Sequence, residues 1–296
     1  LPKRYCFERV DVPNFAEWYC VQVSPKGDLK QIKEVGQHYS AVFGLTSTLT
    51  ERFNLEKNVF GPSWIRVTEI EKMNQYTTCP MFSIRDIDSI TVLKESQIPR
   101  ERVPPFNICT FALQTVIDNK NRVQIVMATM NVLYNWNIET YEPYQSKQTK
   151  NQIRQKTTTF ICKNRAMSSS KNPGQVICED ERDLLIHFVE DLHKYDIDIL
   201  SSFGLNNVDI PLIYEKLVQH KVKNYHLLGR INRRLPSKTK CDVVLALSGR
   251  LPADIRVSCI EFLRSKVNDF SAIVKDQLQK ERQSIENFDI SQKLTK

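Results

Sequence analysis

The stretch Asp196-Ile-Asp-Ile-Leu-Ser-Ser-Phe-Gly-Leu-Asn-Asn-Val-Asp-Ile-Pro211 constrains this chain more than any other. Ile197, Ile199 and Leu200 form a short apolar run of strand length, and Gly204, Asn206 and Asn207 supply a tight turn. Asp209 precedes Ile210-Pro211-Leu-Ile-Tyr-Glu-Lys-Leu217, which reads as a helix with proline near its first position. A strand, a glycine turn and an acid at a helix mouth leave two uses for Asp209: to cap the helix or to hold a metal ion.

Upstream, Trp18–Val23 reads as a strand and Ser24–Gly27 as a turn. A helix follows Thr46-Ser47, with Thr48 and Glu51 at capping-box spacing and Leu49, Phe53 and Leu55 as its apolar side. Trp64–Val67 is the next strand, and residues 83–95 give no clear pattern. Three prolines between Pro99 and Pro105 mark a boundary, which divides the chain into 1–102 and 103–296. The spacing then predicts a central strand over Phe106–Ile117, a turn at Asp118–Arg122, and an antiparallel return over Val123–Leu133. Residues 141–157 read as a loop, Thr157–Cys162 as a third strand, and Met167–Gly174 as a surface loop. A helix over 179–195 carries acids in its first turn and the stripe Leu184, Leu185, Phe188, Val189 and Leu192. Asp196 and Asp198 read as turn and cap residues, and His187 and His193 as helix-surface histidines. A helix over 210–219, a strand over Asp242–Leu247 and a helix from about Ile260 complete the pattern. The order is a hairpin meander followed by β-α-β-α-β, an α/β (α+β) mixed sheet flanked by helices, behind a smaller β-rich region.

The net charge of +8 is uneven. Residues 145–178 hold seven basic side chains and no acid, and 218–240 hold seven more, again with no acid. Local basicity of this kind suits a polyanion-facing surface, although solvated loops would show the same composition. Within the second block, Lys221, Lys223, Tyr225, Arg230, Arg233, Arg234, Lys238 and Lys240 mix cations with an aromatic ring, as single-strand binding requires. The eight cysteines form no C-x-x-C pair and fall mostly in apolar runs, which indicates reduced, buried thiols. No apolar run approaches the roughly 18–20 residues that span a bilayer, so no membrane association is expected. The start, Leu1-Pro-Lys-Arg, resembles neither an initiator nor a signal peptide and suggests a segment of a longer polypeptide.

The opening stretch resembles the second exonuclease motif of B-family DNA polymerases, D-P-D-I-I-x-G-Y-N-x-x-x-F-D-x-P. The family's first motif, F-D-x-E, then falls on Phe111-Ala112-Leu113-Gln114, where both acids are missing. Lys3–Glu8 with Asp11-Val-Pro13, Ser40–Gly44, Gly61–Trp64, Leu228-Gly-Arg-Ile231, Ser248-Gly-Arg250, Glu261–Arg264 and Lys280-Glu-Arg282 extend the resemblance in order along the chain. The third motif, Y-x-x-x-D, has no counterpart before Lys296. The closest pattern is that of the eukaryotic replicative branch whose exonuclease domain has lost its acids.

The resemblance implies an RNase H-like exonuclease-type domain behind part of a polymerase N-terminal domain. Ala112, Gln114 and Asp209 become vestigial positions, because one carboxylate cannot hold two cations and hard divalent ions favour charged oxygens. No metal or other cofactor is then expected in this segment, and Asp209 is expected to cap its helix or to remain as a residual acid without a duty. The whole polymerase is implied to use Mg²⁺ to extend RNA primers on a DNA template, in the nucleus, with primase and an accessory B subunit. The segment itself is expected to be a monomeric scaffold without proofreading. An active metal-dependent 3′–5′ exonuclease with unusual ligands, or a stand-alone nucleic-acid-binding module, are the competing readings.

Overall fold

One long hairpin organises the larger part of the molecule. The computed structural model describes residues 19, 21, 32–45, 47–73, 81–98, 103–118, 120–138, 154–163, 173–223, 225–231, 241–263 and 269–281. The strand expected at Trp18–Val23 (apart from Tyr19 and Val21), the turn at Ser24–Gly27 and the loop residues 141–153 and 167–172 lie outside the described residues. The chain divides into two units, Leu1–Ile70 with Ile84–Ile98, and Glu71–Ser83 with Pro99–Lys296.

In the first unit, helix α1 (Leu49–Lys57) begins at the expected capping box. The Glu51 amide donates to Thr48 Oγ1 at 3.2 Å and the Thr48 amide to Glu51 Oε2 at 2.7 Å. The Thr48 amide and hydroxyl, both donating to the Glu51 carboxylate, hold it below its ordinary range. Asn58 ends the helix in the left-handed conformation. The apolar side expected at Leu49, Phe53 and Leu55 is not a buried one: Leu49 is 84% and Leu55 63% exposed, and α1 buries no residue. Local capping, not core packing, defines this helix. Strand β1 (Ile65–Val67) pairs antiparallel with β4 (Ile90–Val92), and Lys57 reaches Asp88 at 2.8 Å. The intervening sequence holds β2 (Ile70–Met73) and β3 (Met81–Ile84), which fall mostly in the second unit and form a separate two-stranded sheet.

The second unit is built on strands β5 (Phe106–Ile117) and β6 (Val123–Trp136). Their turn is closed by Asp118, whose carboxylate accepts from the amides of Lys120 and Arg122 and pairs with the Arg122 guanidinium at 2.8 Å. Asn121 takes the positive φ, 59°, that such a turn needs. Strand β7 (Arg154–Cys162) adds antiparallel to β6, and β8 (Gln175–Cys178) parallel to β7. The loop expected over 141–157 therefore ends sooner, since β6 runs on to Trp136 and gives Arg154–Thr157 a partner to pair with. On the other side of β5, β9 (Ile199–Ser202) and β10 (Leu251–Asp254) add in parallel, giving the order β10-β9-β5-β6-β7-β8. A meander continued by parallel strands, with helices against it, is an exonuclease-like RNase H-type arrangement.

Helix α2 (Glu181–Lys194) starts at Asp180, which accepts from the Asp183 amide, and lays its expected stripe on the sheet. Phe188 meets Phe111 edge to face with centroids 5.4 Å apart, and both are buried. Helix α3 (Ile210–Gln219) buries Ile213, Tyr214 and Leu217 beside it. The strand expected at Asp242–Leu247 is instead a short helix, α4 (Val243–Ala246): Asp242 accepts from the Leu245 amide and fixes a helical turn. The strand comes one element later, as β10. The last helices are α5 (Ile255–Leu263), which begins before the expected Ile260, and α6 (Phe270–Leu278), whose Phe270 ring lies 4.8 Å from Phe203.

Leu228–Ile231 and Ser248–Arg250, which follows α4, pack closely together. A Cβ on Gly229 would meet the Ser248 carbonyl at 2.7 Å, so only glycine fits. Buried Arg250 donates to the carbonyls of Leu228 and Ile197 and joins these segments to the start of β9. Packing at α2 implies a direct test. Phe188→Ala should lower unfolding free energy by about 3–5 kcal/mol in a denaturant titration, whereas Leu49→Ala should change it by less than about 0.5 kcal/mol.

Candidate functional site

Strand β9 hands the chain to α3 through a wide turn that the sequence had marked. Gly204 takes φ +99°, a conformation that side chains rarely adopt. Its carbonyl accepts from both the Val208 and Asp209 amides, at 3.0 and 3.2 Å, so residues Leu205–Asp209 form a π-type turn that runs straight into the helix. Leu205 anchors the turn in the core.

Of the two roles expected for Asp209, helix cap or residual acid, the cap is not the one seen. Its backbone is already helical (φ −70°, ψ −53°), and its side chain makes no bond to the helix amides. Its Oδ2 accepts instead from Ser202 Oγ at 2.5 Å. Asp254, which the sequence reading missed, bonds the amides of the turn instead. Asp254 Oδ1 accepts from the amides of Gly204 (3.2 Å), Arg256 (3.0 Å) and Val257 (3.4 Å), and Oδ2 from Asn206 (2.9 Å). One buried carboxylate thus ties the turn that leads into α3 to the entrance of α5. Burial raises the Asp209 carboxyl above its ordinary range, the Ser202 bond opposes this, and the Asp254 charge adds to the rise. An acid directly before Ile255-Arg-Val-Ser258 is a helix-start signal that would have pointed to Asp254.

Ala112 and Gln114 lie on β5, opposite Thr129 and Met127 of β6. Two residues apart on a strand, they share a face, and Phe111 points the other way into the core. Thr110, on the same face as Ala112, pairs with Ser201 of β9. Strand alternation therefore sets Ser202, which holds Asp209, on the opposite face from Ala112 and Gln114. The residues present do not fit a pair of cations. Ala112 brings no oxygen, Gln114 brings a neutral amide, Asp209 is bonded to Ser202, and Asp254 is bonded to four amides. Among the described residues, no group of three or more His, Cys, Asp or Glu side chains is placed to hold a metal ion. The buried thiols of Cys109 and Cys178 are pushed up to about 12 by desolvation.

The basic residues separate into distinct groups. Lys221 and Lys223 are exposed just after α3. Tyr225 opens a short 3₁₀ turn, Tyr225–Leu228. Arg233, Arg234, Lys238 and Lys240 lie outside the described residues. Arg230 has a structural duty that its sequence block did not suggest. Its guanidinium pairs with Asp196 at 2.9 Å and with Asp198 at 2.7 Å, and it also donates to the Asp196 carbonyl. Asp196 has φ +43°, as a turn residue, and Asp198 Oδ2 accepts from the Asn107 amide at 2.7 Å. His193 bonds the Leu227 carbonyl, so the same segment is fastened to α2 as well.

Residues 40–243 match the family model described as DNA polymerase family B, exonuclease domain. The DNA polymerase alpha catalytic subunit of Mus musculus is 26% identical over 290 residues, which cover 95% of this chain and 19% of that protein. That of Xenopus laevis is 26% identical over 291 residues (95% and 20%), and that of Oryza sativa subsp. japonica 24% over 327 residues (97% and 21%). The chain thus spans about a fifth of the length of the curated relatives it matches.

The two carboxylates should respond oppositely to neutralisation. Asp254→Asn replaces an acceptor with a donor facing amides and should cost about 2–3 kcal/mol of stability at neutral pH, read from denaturant midpoints. Asp209 has a raised folded pKa, so folding favours its protonated form, and its ionised form weakens the fold as pH climbs above the ordinary aspartate range. Asp209→Asn should therefore be at least as stable as the parent at pH 7, with the difference closing as pH falls below that range.

Proposed function

This chain belongs to the exonuclease domain of DNA polymerase family B, and from that membership we propose that it is a non-catalytic region of a replicative polymerase of the alpha type. In this reading it supports the polymerase core and helps to guide the template strand, and it does not proofread. The single observation that carries the reading is the sequence Phe111-Ala112-Leu113-Gln114 on β5, the strand where the family's first motif places two acids. Two-metal hydrolysis needs carboxylates that fix both cations, one to activate water and one to stabilise the leaving oxygen. Neither 112 nor 114 supplies one. The Ser202–Asp209 bond and the four amide bonds to Asp254 support a role for the motif in shape: they keep the turn that the active version of the motif would need.

For the whole protein we propose the activity named for its relatives, DNA polymerase alpha catalytic subunits. That comprises Mg²⁺-dependent extension of RNA-primed DNA in the nucleus, with primase and an accessory B subunit as partners. The chemistry of that reaction is assigned to parts of the polymerase outside these 296 residues. The described residues contain no helix long and apolar enough to cross a membrane. Lys221, Lys223, Arg233, Arg234, Lys238 and Lys240 are proposed to hold template phosphates, and Arg230 to brace the segment from within.

Two measurements test this reading. Incubated with 5′-labelled single-stranded DNA and Mg²⁺ or Mn²⁺, the chain should show no 3′-end shortening above a protein-free control, and Asp209→Ala should change nothing. Metal-dependent shortening that Asp209→Ala abolishes would overturn the reading. Charge reversal at Arg233 and Arg234 should weaken single-strand binding and flatten its salt dependence by about 1.4 in log–log slope. An unchanged slope would remove these residues from the template surface.

A further inference from the structure

A second basic cluster is assembled from residues far apart in sequence. Lys156 of β7 pairs with Val132 of β6, on the face of the sheet that α2 covers, and extends toward the C-terminal end of α2. There its ammonium bonds the Tyr195 hydroxyl at 2.5 Å and sits 5.0 Å from that ring's centroid. Lys194 brings a second ammonium within 5.5 Å of the same ring. Tyr134 packs edge to face on Tyr195, with centroids 5.7 Å apart, and the Asn107 side chain holds the Tyr195 carbonyl at 3.1 Å. The ring is thereby fixed while both ammoniums remain on exposed residues.

The chemistry of this cluster suits a phosphodiester. Two ammoniums beside one ring, one of them bonded to its hydroxyl, offer several donors to a tetrahedral anion, and the hydroxyl, accepting from Lys156, keeps its own hydrogen to donate. The bond to Tyr195 raises the Lys156 pKa, which keeps that lysine charged. Asp191 is the opposing group: a half-buried carboxylate on the preceding turn of α2 that interacts with both lysines and offsets part of their charge. Location favours a nucleic-acid strand over an isolated anion. Tyr195 adjoins Asp196, which holds Arg230 of the second basic block. One residue of each basic block, Lys156 and the bracing Arg230, is thereby bonded to the adjacent pair Tyr195 and Asp196.

We infer that Lys156, Lys194 and Tyr195 form a contact site for the phosphate backbone of a single-stranded nucleic acid. This rests on the proposal that the region guides template, and it adds a site that the second basic block does not include. Stacking of bases on Tyr195 is not part of the inference, because lysines and Tyr134 already surround that ring.

Fluorescence anisotropy with a labelled oligo-dT and the 296-residue chain tests it. Lys156→Gln with Lys194→Gln should weaken binding about 5- to 20-fold at low salt and flatten the slope of log affinity against log salt by about 1.4, two single-strand phosphates' worth. Asp191→Asn should tighten binding about 2- to 3-fold, a gain that a merely structural role would not give. Lys156→Arg with Lys194→Arg should bind like the parent, which keeps the test valid if the glutamine variant folds poorly. Unchanged affinity and slope in a folded glutamine variant, or no gain in Asp191→Asn, would overturn the inference while leaving the guiding role intact. Equal competition by an oligoglutamate peptide would assign the cluster to an acidic protein instead, and full displacement by millimolar inorganic phosphate would reduce it to an anion site. A parent chain that does not bind oligo-dT would overturn the guiding role and this inference together.

Discussion

The carboxylate of Asp254 is the interaction on which the geometry of the candidate site depends. It is buried at the end of the edge strand β10 and accepts from amides of the Gly204 turn, 50 residues away, and from the first turn of α5. One carboxylate thus pairs amides of the turn before α3 and of the first turn of α5. Asp209 makes no capping bond to α3; it accepts from Ser202 and is a half-buried acid with a raised pKa. The shape of an exonuclease motif persists here because it is held by a residue outside that motif.

A second constraint ties the front of β9 to the rest of the domain. Arg230 and Arg250 approach the Asp196–Asp198 segment from the Leu228–Ile231 and Ser248–Arg250 segments. Gly229 lets those two segments touch, backbone to backbone. Bonded to two carboxylates and held near a packed core, Arg230 acts as a brace and not as a solvent-facing cation. Among the described residues, Lys156 and Lys194 bring exposed positive charge to the Tyr195 ring beside Asp196, and no sequence window places them together.

Much of this architecture was legible in the chain itself. Phe106–Ile117 could be delimited to the residue because strand formers run into the Asp118–Arg122 turn, and α3 because Pro211 marks its first turn. The errors have physical causes. Val243-Val-Leu-Ala246 is a short apolar run without periodicity, and the Asp242 cap decides in favour of helix. Leu251-Pro-Ala-Asp254 contains a proline that argues against a strand, yet β10 is an edge strand and tolerates Pro252. Leu49 and Leu55 had the spacing of a buried side, but spacing does not specify whether anything covers a helix. The candidate site was legible in its losses, at Ala112 and Gln114, and not in its replacements. Ser202, Asp254 and the Lys156–Tyr195 pair depend on contacts between distant segments.

The central claim is that this domain keeps an exonuclease's frame without an exonuclease's cations. A Mn²⁺ titration of the 296-residue chain, followed by electron paramagnetic resonance, addresses it most directly. The account predicts no stoichiometric Mn²⁺ site, and the same titration curve for Asp209→Asn. One or more ions bound per chain, and lost in Asp209→Asn, would contradict it.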